Sequence, residues 1–462
     1  MQKSLRISTL LVTFVMMGCG DDDQVVSSQK SRMTDQQLEQ ILHQRYDGDR
    51  TGVCVVAAYI EADSVARATV CADPAQHRLD VDNVSLEIGS VTKTMTAALL
   101  ASLINEGKLN LDDPLSMYLP SQIQVPTFQG EPILLKHLVT HSSGLPREPS
   151  NLDPINPYSL ITEEDLLNEL SATTLRFSPG TQWEYSNFAF MILSYVIANE
   201  ASVDFEALLR ERIFTPLGMQ SYIHQVPANI TEASGHKASN KQPAASLDFF
   251  TTNLAGNGGV RATLNDMVLY CQAQFGYGDS ETVKILKMTH DQIDLGMNYP
   301  LDPPPMAWGI TSATQGNFLV HGGDTIGFSS VVVVDPEHQR AVVVLEDTRL
   351  ELGRYEVLNH LIDPTIALPA PRLEATPPES LLQALQGNYS LIDGVEVSVS
   401  YSGSSLIATF ADGTIIELAY DSRGDFYPLT DEFGLLTPII NDAGQQTFIW
   451  ADAENQFVAQ PL

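Results

Sequence analysis

The sequence predicts an α+β fold: one antiparallel sheet assembled from the two ends of the chain, with helices inserted between them. Three observations carry this. Residues 52–60 and 65–72 read as the strands of a hairpin turning around Glu61 to Ser64. β-Branched runs return much later, at Phe318–Val320, Ser329–Val334 and Arg340–Leu345, the last two joined by a turn at Asp335-Pro336-Glu337-His338. The text between is mostly helical, with apolar helices at Thr94–Ile104 and Phe188–Ala198. At 462 residues and 44% apolar content, the chain has enough length for a large core and more than one domain.

From the N-terminus, Lys3 and Arg6 precede an apolar stretch, Ile7–Met17, and Met16-Met17-Gly18-Cys19 resembles a bacterial lipobox with Met16 where Leu is usual. Residues 1–19 are therefore expected to be a lipoprotein-type signal peptide with Cys19 as the lipidation site. A plain signal peptide cut near Gly18 is the alternative. Residues 20–35 read as a polar tether. Gly20 after the cysteine, by resemblance to such lipoproteins, implies no inner-membrane retention. The expected location is periplasmic, on an outer-membrane anchor. No later stretch of roughly eighteen apolar residues suggests a membrane span. A net charge of −32, from 25 basic and 57 acidic residues, argues against nucleic acid or an anionic membrane surface as partner.

Met33–Tyr46 is a polar, helix-forming entry segment. In the hairpin that follows, a turn centred between Ala62 and Asp63 sets Cys54 opposite Cys71, and export permits a disulfide there. Two buried free thiols are the other reading. Cys271, in a helical stretch after Asp266, reads as core.

The chemistry starts at Ser90-Val91-Thr92-Lys93, between Leu86-Glu87-Ile88-Gly89 and the apolar helix. A serine at a helix N-terminus sits where N–H groups and the helix dipole favour a developing oxyanion. A lysine three residues on lies one turn away on the same face, within reach of the hydroxyl. That arrangement activates a nucleophile without a histidine base. Tyr185-Ser186-Asn187 precedes the second apolar helix. Phe318–Val320 runs into His321-Gly322-Gly323, read as the end of an edge strand where an extended acyl-peptide could pair, with glycine permitting close approach. His141 reads as a residue that pins a loop near the pocket, with a catalytic base as the alternative, and Trp308 as a core aromatic or a lining residue. His290, His338 and His360 lack metal-ligand spacing, so no metal is expected.

Ser-x-x-Lys, Tyr-x-Asn and His-x-Gly, in this order, resemble the three motifs of the serine β-lactamase and penicillin-binding protein superfamily. Gly107–Pro114, Val125–Gly130, Leu138–Arg147, Pro216–Met219, Gly258-Gly259-Val260 and Gly323–Phe328 narrow the resemblance to class C relatives. Val125–Arg147 is most like D-alanyl-D-alanine carboxypeptidase/endopeptidases of the AmpH type. The resemblance implies a β-lactamase/transpeptidase-like fold over residues 36–367 and a cofactor-free serine hydrolase. It implies Ser90 as nucleophile, Lys93 and Tyr185 as proton carriers, and Asn187 on the substrate's amide carbonyl. The oxyanion hole would be the N–H groups of Ser90 and Asp324. His321-Gly322-Gly323 departs from the Lys-Thr-Gly or Lys-Ser-Gly of many relatives: a fixed cation and a hydroxyl are missing, and His321 is expected to be only partly charged. The expected substrate is a cell-wall peptide containing D-amino acids. A small ester or amide, a β-lactam, and a catalytically silent wall-binding module are the alternatives. The sequence does not fix the oligomeric state.

Residues 368–385 are a Pro-rich linker around a short helix. Residues 386–462 turn to short strands, led by the clean period-two alternation of Val395–Tyr401. This reads as a small antiparallel barrel, similar to lipocalin-like domains, without a catalytic motif. Support, substrate gating and oligomerisation are its candidate roles.

Overall fold

The computed structural model describes residues 32–462 apart from 77, 151, 154, 277–279, 297, 314–315, 350–352, 393–394, 431–433 and 452–455. The lipobox-like stretch, Cys19 and most of the tether lie outside the described residues. Helix α1 (Asp35–Tyr46) opens on a capping box between Thr34 and Gln37. It leads into the hairpin of β1 (Cys54–Glu61) and β2 (Ser64–Cys71), whose register pairs Glu61 with Ser64 and Cys54 with Cys71. The two cysteine sulfurs are bonded. Cys271 is a buried free thiol.

Two helices then build the interior. Helix α2 (Thr92–Asn105) is buried from Thr92 to Leu103, and helix α3 (Asn187–Ala201) from Phe188 to Ala198. Ser186 caps α3 by accepting from the Ala189 N–H. The late strands are β3 (Gly309–Ala313), β4 (Gly316–Asp324), β5 (Ser329–Asp335) and β6 (Arg340–Glu346). They complete an antiparallel sheet of order β2-β1-β6-β5-β4-β3, in which β1 from the start of the chain pairs with β6 from near its end.

Alternation along β1 sends its side chains to two cores. Val55 and Ala57 pack with α1 and helix α4 (Gly353–Ile362). Val56, Ala58 and Ile60 face the larger core that holds α2 and α3. The result is three layers with the sheet in the middle, the α+β arrangement expected. One expectation needs correction. The strand containing Phe318–Val320 is not at the sheet edge: β3 pairs with it from Gly316 to Val320. β3 ends at Gly309, opposite Val320, so cover stops where His321 begins. β3 escapes a sequence reading because it is only five residues long and begins and ends on Gly309 and Ala313, which are weak strand formers.

The C-terminal region forms its own ten-stranded antiparallel sheet around Leu406, Leu418, Phe426, Leu436 and Phe448. Gln456–Val458 pairs with Gln446–Ala451 at one end of the strand order, and Gln460–Pro461 with Gly387–Ile392 at the other. Consecutive segments thus pair with opposite ends of the sheet and nearly close it into a barrel. The linker contributes too: Glu374–Ala375 pairs with Tyr420 and Asp421.

One buried acid bears on stability. Tyr46 on α1 donates to Glu346 Oε1 on β6, and burial raises the Glu346 carboxyl from 4.5 to about 7. The folded state therefore holds a proton that the unfolded chain releases at lower pH. This favours folding below pH 4.5, and the contribution is lost as pH rises through about 7. Glu346→Gln keeps the shape and removes the titration. Urea denaturation of both proteins should show the mutant's relative stability rising by about 3 kcal/mol between pH 4.5 and 8. A pH-independent difference would refute this titration.

Candidate active site

Gly89–Val91 form a single 3-10 turn that runs directly into α2, so Ser90 sits at the helix entrance and Lys93 in its first turn. Gly89 adopts φ +48°. A Cβ there would stand 2.9 Å from both the backbone N and O of Asp324, so glycine lets the nucleophile turn lie against the end of β4. Gly323 makes the reciprocal approach: a Cβ would sit 2.0 Å from the Ile88 carbonyl oxygen and 2.6 Å from Ser330 Oγ. The glycines of the third motif serve contact within the protein itself, Gly323 with the nucleophile turn and Gly322 with the Tyr355 hydroxyl. Their expected role was room for substrate.

Lys93 is fully buried, and its Nζ lies 3.0 Å from Ser90 Oγ and 2.7 Å from Asn187 Oδ1, with the Asn257 carbonyl as third neighbour. Burial pushes the amine well below its usual value; Glu148 opposes this and Arg147 reinforces it. A neutral amine has two N–H groups and one lone pair. The two carbonyl oxygens take the N–H groups, which leaves the lone pair for the Ser90 hydroxyl. Asn187 is oriented in turn: its Nδ2 donates to Glu148 Oε1, and Tyr158 donates to Glu148 Oε2 at 3.0 Å. Burial raises the Glu148 carboxyl.

Tyr185 is partly buried and hydrogen-bonded to Ser90, and desolvation raises its phenol so that it stays protonated. Lys93 Nζ and the Arg147 guanidinium lie 4.8 Å and 5.1 Å from the centroid of its ring. The loop 141–148 stitches this segment in place. The His141 carbonyl accepts from Glu184 N–H, His141 Nδ1 accepts from Ser186 N–H at 3.1 Å, and the Arg147 carbonyl accepts from Asn187 and Phe188 N–H. The His141 ring stacks on Tyr185 at 4.3 Å, and burial holds the imidazole neutral. His141 thus positions Tyr185.

Ser90, Tyr185, Asn187, His321, Gly322 and Asp324 line one cavity of about 740 Å³. Trp308 lines it as well, nearly fully buried, and Trp183 stands half-exposed at its wall. The chemistry of this set of groups is that of acyl transfer through an activated hydroxyl.

A family model described as "Beta-lactamase" matches residues 39–365. The chain belongs to the β-lactamase family. As such it is a serine hydrolase, and the non-catalytic alternative falls. This β-lactamase-family chain is 29% identical over 297 residues to the D-alanyl-D-alanine-carboxypeptidase/endopeptidase AmpH of Escherichia coli K12, covering 60% of this chain and 74% of the relative. It is 30% identical over 165 residues to the putative penicillin-binding protein PbpX of Bacillus subtilis, 36% of each chain. Among solved structures, the β-lactamase/D-alanine carboxypeptidase of Yersinia pestis aligns at TM-score 0.59 and 24% identity, over 71% of this chain and 99% of that one. The octameric penicillin-binding protein homologue of Pyrococcus abyssi aligns at TM-score 0.59 and 19% identity, over 93% of this chain and all of that one, so the fold likeness reaches into the C-terminal sheet.

One expectation changes at this family's third motif. His321 is not partly charged near neutrality: burial pushes it down to about 4, so it is neutral. Its Nδ1 lies 2.7 Å from the Gly322 carbonyl oxygen, which makes Nδ1 the protonated nitrogen. Asp324 adds no loose negative charge, because its carboxylate accepts from Arg354 at 2.7 Å and from Ser329 at 2.8 Å. Sequence reasoning missed Glu148, Asn257, Arg354 and Tyr355. Glu148 follows the recognisable run Leu138–Arg147 and Asn257 precedes Gly258-Gly259-Val260, and those adjacencies were the available signals.

Proposed function

We propose that this serine hydrolase is a D-amino-acid peptidase of the carboxypeptidase/endopeptidase kind, cleaving cell-wall peptides through an acyl-enzyme on Ser90. The observation that carries the reading is the outer edge of His321–Asp324, which β3 leaves unpaired, with His321, Gly322 and Asp324 lining the same cavity as Ser90. An extended peptide can pair along that edge and present its scissile carbonyl to Ser90 Oγ. The name of the Escherichia coli relative supports the substrate class.

Neutral Lys93 takes the Ser90 proton as Oγ attacks the carbonyl. The N–H groups of Ser90 and Asp324 receive the oxyanion, each such donor contributing about 10²–10³ in rate. The Tyr185 phenol protonates the leaving nitrogen and is reprotonated from Lys93. Water then attacks the acyl-enzyme, giving its proton back through the same pair.

A second reading has its own observation. With His321 neutral, no fixed cation stands at the first position of the third motif, which suits an ester lacking a carboxylate. Release of D-alanine from an N-acylated peptide ending in D-Ala-D-Ala is expected, lost in Ser90→Ala. Ser90-dependent hydrolysis of p-nitrophenyl acetate with no D-alanine released would replace the peptidase with an esterase.

Export and lipid attachment at Cys19 belong to the same proposal. They are supported by the N-terminal sequence and by the Cys54–Cys71 bond, which suits an oxidising compartment. Cys19→Ala should release the protein from the membrane fraction; unchanged fractionation would end the lipid-anchor reading.

A further inference from the structure

Three consecutive residues of α4 connect the active-site strand to the C-terminal sheet. The first, Arg354, is 3% exposed and donates to Asp324 Oδ2 at 2.7 Å, at the tip of β4. The second, Tyr355, lines the active-site cavity, and its hydroxyl fills the space beside Gly322: a Cβ there would stand 2.0 Å from it. The third, Glu356, turns the other way. It accepts from Arg423 Nη1 at 2.6 Å and Nη2 at 3.2 Å, and from Arg45 Nε of α1 at 2.6 Å. Arg423 lies in the turn between strands Ile415–Asp421 and Phe426–Pro428 of the C-terminal sheet, and it also donates to the Ala370 carbonyl of the linker. Arg45 continues inward to Asp49, whose carboxylate accepts from the linker N–H of Arg372.

Successive helix residues point about 100° apart on a rise of about 1.5 Å. One rigid turn therefore reaches Asp324, Gly322 and the C-terminal domain at once. We propose that the C-terminal domain sets the position of the oxyanion end of β4 through this turn, with Glu356 and Arg423 as positioning residues. The bidentate Arg423–Glu356 pair fixes the helix in direction as well as distance. Tyr355 packs against Gly322 and Arg354 is hydrogen-bonded to Asp324, so a displaced helix pulls on the strand. A shift of about 1 Å in such a group costs on the order of 10²-fold in rate. This gives the barrel a catalytic role without a catalytic motif of its own. The inference holds for whichever acyl donor the site accepts.

The test uses Arg423→Gln, Glu356→Gln and the double variant in the full chain. p-Nitrophenyl acetate is the substrate, and active sites are counted from the initial burst. Counting sites removes any loss that comes only from unfolded protein. The expected result is a fall in kcat per site of at least fivefold in each single variant, KM within about threefold, and no further loss in the double variant. Arg423→Lys should recover part of the rate. Glu356→Asp, which keeps the charge and shortens the reach, gives the same fall if Arg423→Gln does not fold. A per-site kcat within fivefold of the parent, or losses that multiply in the double variant, would overturn the proposal. The ester readout keeps it separate from the peptidase reading.

Discussion

Ser90→Ala is expected to lower kcat by about a million-fold for every substrate while leaving the fold intact. Removing the nucleophile of such a site costs about as much as removing its whole proton-transfer machinery, because the groups act as one unit. The structural change is small. Ser90 is only partly buried, and Lys93 keeps Asn187 and the Asn257 carbonyl as partners. The loss of one hydrogen bond shifts stability by about 1 kcal/mol. Circular dichroism and thermal unfolding should match the parent, and single-turnover assays should show no acylation. Hydrolysis retained in this variant would place the nucleophile elsewhere.

Lys93→Met should be the next most damaging change, with acylation slowed by about 10²–10⁴-fold. Methionine keeps much of the buried stem and removes the amine whose lone pair faces Ser90 Oγ. Two carbonyl oxygens lose their donors, yet a buried amine is removed as well, so stability should change little. Stopped-flow acylation separates this from the tyrosine. If Lys93→Met acylates at the parental rate, Tyr185 is the base, and the neutral-amine assignment fails. In the parent, activity should fall on acidification as Lys93 takes a proton, because only the neutral amine accepts from Ser90. His321 cannot account for that limb near neutrality, since it is already neutral above about 4.

What was legible in the sequence was local. Ser90 and Lys93 are one helical turn apart, so their approach follows from helix geometry. The Cys54/Cys71 register follows from a tight hairpin, in which the turn fixes every opposite pair. The antiparallel α+β frame follows from β-branched runs at both ends of the chain. What was not legible depends on burial and on contacts between distant segments. The neutrality of His321 comes from its surroundings, which its neighbours in sequence do not reveal. The Asn257 carbonyl reaches Lys93 from 164 positions away. Arg354 and Tyr355 act on Asp324 and Gly322 only because α4 packs behind the sheet. β3 was missed because it is short and begins and ends on weak strand formers, and with it the limit that leaves His321–Asp324 unpaired.

The most direct measurement is intact-protein mass over time after mixing with a penicillin, followed by peptide mapping and compared with Ser90→Ala. The expected result is a mass gain of one whole drug molecule, carried by the peptide containing Ser90 and absent from the variant. An adduct mapped to another residue, or drug consumption that continues in Ser90→Ala, would contradict the Ser90 acyl-enzyme.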